Sequence, residues 1–130
     1  MTDTTADGFG ATAPDDHLLV RRLISGDPSA ADRVRSRAAV AATPELLVAT
    51  AVVVGRPSPW LGRAAACATS TRDRQLVAIG AAFLAADSDR LDALVRDHLA
   101  DHPDSLLAAW IAALARATTR SAIARPTDPQ

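Results

Sequence analysis

The sequence predicts an all-α fold of about seven short helices, each antiparallel to its neighbours, and three observations carry that prediction. Alanine, leucine and arginine, all strong helix formers, dominate a chain with no tyrosine and only two phenylalanines. Apolar residues recur at spacings of three and four, as in Leu91, Leu94, Val95 and Leu99. Capping residues, glycines and prolines break the apolar runs at short intervals: Gly26-Asp27-Pro28, Thr43-Pro44-Glu45, Gly55 to Pro59, and Pro103. A length of 130 residues fits one domain, and 48% apolar with 22% charged residues is a globular composition.

The elements follow in order. Residues 1–14 are small, polar and rich in glycine and threonine, and are expected to form a flexible tail. Asp15 or Asp16 is placed to cap a first helix carrying Leu18, Leu19, Val20, Leu23 and Ile24, which Gly26 ends. Pro28 suits the first turn of a second helix running to about Ala42. Thr43-Pro44-Glu45 combines a capping hydroxyl, a proline at the first helical position and an acid at the positive end of the dipole. The helix it starts, Leu46 to Val54, is apolar almost all round and should be central.

A short helix is expected from about Trp60 to Ala68, with Ser58 as a cap. Ser70 or Thr71 starts the next, which bears Leu76, Ile79 and Phe83; its mid-helix Gly80 suits close approach of a neighbour. Asp87 or Ser88 opens the helix of Leu91, Val95 and Leu99, and Asp104 or Ser105 opens the last one. The helical domain is expected over 15–121, with 122–130 a second tail.

The net charge of −1 gives no global field toward nucleic acid or anionic lipid. All fourteen basic residues are arginine and all acids but Glu45 are aspartate, a bias that points to a GC-rich bacterial genome. Cys67 is the only cysteine, which excludes an intrachain disulfide; its place among alanines reads as a small packed side chain. The N-terminus has no signal-peptide pattern and no apolar run is long enough to span a bilayer, so a cytoplasmic protein is expected.

His98 and His102 stand four apart, a spacing that can place two imidazoles on one metal. A zincin needs glutamate after the first histidine as general base, and leucine stands there. A third ligand would have to come from Asp97, Asp101, Asp104 or the distant His17. His98 shares a face with Leu91 and Val95, and His102 lies at the negative end of the dipole, so packing and capping is the reading preferred to a small metal-dependent hydrolase. The arginines at 21, 22, 33, 35 and 37 concentrate positive charge in the first helix pair, with Asp27 and Asp32 interleaved. No aromatic stacking platform accompanies them, which disfavours a nucleic-acid-binding regulator. No phosphate loop, nucleophile elbow or paired-carboxylate motif is present, and no cofactor is called for.

Residues 17–53 and 74–112 run in parallel: "HLLVRRLISGD", a helix and "TPELLVATAVV" against "RQLVAIGAAFLAAD", a helix and "HPDSLLAAWIA". The offset is close to sixty and drifts by a residue or two, which suggests stacked helical repeats.

The segment from Ala86 to Pro103 resembles the tetratricopeptide repeat (TPR). Ala86-Asp87 stands where that repeat has Gly-Asp, Leu91 at its small position, Val95 at its aromatic, His98-Leu99 at Ala-Leu and Pro103 at its proline. Over residues 60–117 the chain is also similar to the bacterial tetratricopeptide repeat protein 38 family, through Arg72, Asp73, Arg74, Val77 and Ala78, then His98, Leu99, His102, Pro103 and Asp104. It departs from that family at Asp73, where the family has glutamate, and at Leu76, where it has histidine. The resemblance implies a right-handed helical array that serves as a non-enzymatic interaction or scaffold module for a protein or peptide. The surfaces expected to do so are Arg33 and Arg37 in the first helix pair, and Leu107, Trp110, Ile111 and Leu114 on a last helix with nothing after it to cover them. A homodimer through that C-terminal helix is the expected assembly.

Overall fold

A computed structural model describes residues 12–40 and 42–124; of the tails expected at 1–14 and 122–130, residues 1–11 and 125–130 lie outside it. Among the described residues the chain forms seven helices and no strand: α1 (Thr12–Ile24), α2 (Ala30–Val40), α3 (Pro44–Val54), α4 (Trp60–Cys67), α5 (Thr71–Leu84), α6 (Ser88–Asp101) and α7 (Leu106–Ala124). The fold is all-α.

Two ends differ from expectation. Helix α1 begins at Thr12 rather than at Asp15 or Asp16, which puts Asp16 inside the helix instead of at its cap. Helix α7 runs to Ala124, past the fading of its apolar pattern after Ala117, because alanine, arginine and threonine continue a helix without needing burial.

Local chemistry explains most other boundaries. Thr43 caps α3 by accepting from the Leu46 N–H at 3.4 Å, Ser70 caps α5 from Asp73 at 3.0 Å, and Asp87 caps α6 from Arg90 at 3.2 Å. Gly55 ends α3 at φ +83°, its N–H on the Ala51 carbonyl at 2.8 Å. Helix α4 has no side-chain cap, and Ser58 does not serve as one.

Ala86 does at the α5–α6 turn what Gly55 does after α3, but as an alanine at φ +58°. The Asp87 N–H returns to the Ala82 carbonyl at 3.0 Å, closing the turn. A Cβ is crowded in this conformation. Ala86→Gly is expected to raise the unfolding free energy by about 1 kcal/mol, read from urea denaturation.

Helix α3 is the centre. Every residue from Leu46 to Val52 is buried, between α1, α2, α4, α5 and α7. Gly80 lets α5 approach, for a Cβ there would stand 3.0 Å from Val48 Cγ1 and 3.2 Å from Leu61 Cδ2. Arg63 of α4 donates to the Ala38 carbonyl in the last turn of α2 at 2.7 Å and lies over the Trp60 ring.

The contacts divide the chain into two triplets, α1–α2–α3 and α5–α6–α7, within each of which every helix touches the other two. Helix α4 joins them. An open stack would keep first and last helices apart, yet α7 packs against α1 and α3 as well as α5 and α6. The covering of α7 corrects the expectation of a bare last helix. Leu107 and Ile111 are fully buried core residues and are not part of an interaction surface. The physical reason is that the two triplets turn their apolar faces onto each other, so α7 is covered by helices distant in sequence.

Candidate functional site

The start of α1 meets that of α3, the start of α3 that of α5, and the start of α5 is linked to that of α7 through His98; three of the four buried polar side chains, Asp16, His98 and Ser105, take part. Asp16, fully buried in the first turns of α1, accepts from Arg37 Nε at 2.9 Å and from the Thr43 N–H at 2.8 Å. It thereby ties α1 to the end of α2 and the cap of α3. His17 lies 3.4 Å from Glu45.

The second triplet repeats the device. His98, fully buried near the end of α6, pairs through Nδ1 with Gln75 Oε1 at 2.7 Å and through Nε2 with Ser105 Oγ at 3.0 Å. An amide oxygen can only accept, so Nδ1 carries the proton and Nε2 accepts from the serine hydroxyl. Gln75 starts α5 as Asp16 starts α1, His98 ends α6 as Arg37 ends α2, and Ser105 precedes α7 as Thr43 precedes α3. Asp16 and Gln75, Arg37 and His98, and Thr43 and Ser105 are 59, 61 and 62 positions apart. The drifting offset of the sequence repeat is thus seen in the structure as two polar clasps of equal placement and different chemistry.

These bonds govern what the histidines can do. Both nitrogens of His98 are engaged, which leaves no lone pair for a metal without breaking the clasp. His102 follows α6, its N–H on the His98 carbonyl at 2.8 Å and its ring 4.9 Å from the His98 ring. Among the described residues no three His, Cys, Asp or Glu side chains converge as a metal site needs. Cys67 is exposed, not packed as its alanine neighbours suggested.

Burial pushes the His98 imidazole below the usual histidine range, and the charges of His102 and Arg72 add to this against the opposing Asp101 and Asp104. The unfolded chain therefore takes up a proton here at higher pH than the folded one. Stability contributed by neutral His98 is complete well above the ordinary value of 6.5 and is lost as the pH falls through it toward the depressed folded value. Urea unfolding between pH 8 and 5 is expected to show a falling free energy, with His98 contributing a slope of at most about 1.4 kcal/mol per pH unit. The His98→Asn chain should show a shallower slope over the same interval.

A second feature lies between α1 and α2. Leu18, Leu19, Arg22 and Arg37 line an open cleft of about 320 Å³, and the Leu18 side chain is exposed at 52%. Arg33 stands one turn before Arg37 on α2 and is exposed. At the turn, the Ser29 N–H and hydroxyl bond Asp27 at 3.0 and 2.9 Å and hold its carboxyl below the usual range, with Arg22 and Arg33 adding to the effect.

The third is the outer face of α7. Leu106 is 41% exposed, and Trp110 and Leu114 are half-buried. Of the four α7 residues expected at a surface, these two are there and Leu107 and Ile111 are not. Leu106, four residues before Trp110 and outside the set expected at a surface, belongs to this face as well. No described helix is long and apolar enough to cross a membrane.

Comparison with protein-family models, curated proteins and solved structures finds no match.

Proposed function

We propose that the chain is a non-enzymatic, TPR-like protein-interaction module that assembles with itself through α7. The observation that carries this reading is the apolar face of Leu106, Trp110 and Leu114. Helix α3, which holds the same place in the first triplet, is buried all round, with α4 among the helices that cover it. Among the described residues nothing does for α7 what α4 does for α3. Large apolar side chains left half in water favour a partner surface, and a second α7 would present the same residues across a two-fold axis. The clasped histidines, each nitrogen of His98 paired within the fold, favour this reading over a metal-dependent hydrolase.

Sedimentation velocity at high micromolar concentration tests the assembly. A dimer is expected for the unaltered chain and a folded monomer for Leu106→Glu with Trp110→Glu. A monomeric unaltered chain overturns it.

A further inference from the structure

The cleft between α1 and α2 is separate from the α7 face and sets two arginines beside two leucines. Residues 12–40, which span α1 and α2, hold five arginines and four aspartates, a net +1, whereas the whole chain is −1 and the remainder therefore −2. Asp16 is buried against Arg37, Asp32 pairs with Arg35, and Asp27, held by Ser29, lies within the influence of Arg22 and Arg33 without a direct ion pair to either. Arg22 and Arg33 have no ion-pair partner within 4.0 Å among the described residues. Arg37 gives only its Nε to Asp16, and its side chain remains 34% exposed. Beside these guanidinium groups stands Leu18, the more exposed of the two leucines in the cleft.

We propose that this cleft is a docking site for an acidic peptide segment of another protein. An apolar side chain of the peptide covers Leu18 and Leu19, and its carboxylates meet Arg22, Arg33 and Arg37. Charge complementarity selects the occupant: planar guanidinium groups take carboxylates in paired hydrogen bonds, and an apolar side chain gains from covering exposed leucine. Nucleic acid is the poorer fit. Three arginines neutralise few phosphates, the chain as a whole is slightly negative, and no aromatic ring lines the cleft for a base to stack on.

Selection of random twelve-residue peptides displayed on phage, against the intact protein, tests the proposal. Enriched peptides are expected to share aspartate or glutamate flanking a leucine or phenylalanine. In fluorescence anisotropy the consensus peptide should bind at least about tenfold more weakly to Arg22→Glu with Arg33→Glu, each charge-assisted contact being worth about 1 kcal/mol or more. Leu18→Gln should weaken it separately. A lysine-for-acid version of the peptide should recover binding to the doubly reversed protein, which separates lost charge from lost fold. Enrichment of no peptide, enrichment of peptides without acids, or affinity indifferent to both variants overturns the proposal. So does a twelve-nucleotide oligothymidine that binds the cleft as tightly as the consensus peptide. These outcomes are distinguishable from those of the α7 assembly, which Leu106→Glu with Trp110→Glu removes at residues that do not line the cleft.

Discussion

Leu107→Ala and Ile111→Ala are each expected to lower the unfolding free energy by about 2–5 kcal/mol, the usual cost of emptying a large aliphatic site in a core. Both side chains are fully buried where the second triplet meets the first. Leu106→Ala, one residue before Leu107 but 41% exposed, should cost less than about 1 kcal/mol in the monomer. The contrast assigns α7 one face to the fold and another to assembly. Equal losses at 106 and 107 in chemical denaturation, measured at concentrations too low for association, would contradict that division.

Asp16→Ala should be nearly as damaging, at about 2–3 kcal/mol. The carboxylate has no contact with water and accepts two hydrogen bonds, one from a guanidinium and one from the backbone at the α3 cap. Its removal leaves the Thr43 N–H without its acceptor and frees the start of α1 from α2 and α3 together. Asp16→Asn keeps one acceptor oxygen and should lose less. The two variants, compared by thermal and urea unfolding, separate the charge from the hydrogen bond. Equal stability of Asp16→Ala and the unaltered chain would mean that the clasp contributes nothing.

What the sequence made legible was local. Thr43-Pro44-Glu45 marked the start of α3, and nine residues of apolar character broken only by Thr50 marked it as central. The place of His98 on the Leu91–Val95 face followed from a period of 3.6 alone, and all three are buried. Periodicity tells which face of a helix is apolar, but not which distant helix will cover it. That is why α7 was expected bare and why Leu107 and Ile111 were placed at a surface. Asp16 was read as a cap for the same reason. An aspartate near a helix start has a common local use, and its actual partners lie 21 and 27 residues away. Gln75 gave no signal of its own. The sixty-residue parallel did, once Asp16 and Arg37 were known to pair, because it pointed to the matching positions in the second triplet.

The contact between α1 and α7 changes how the molecule comes apart. A linear stack of helical units can fray from either end, losing one unit at a time while its neighbours persist. Here the terminal helices are each other's support, and neither can leave without exposing the other's apolar face and part of α3. The two ends of the described chain should therefore open together with the centre. Slowly exchanging amides of α1 and α7 would share the protection of α3, and the whole would melt in a single transition.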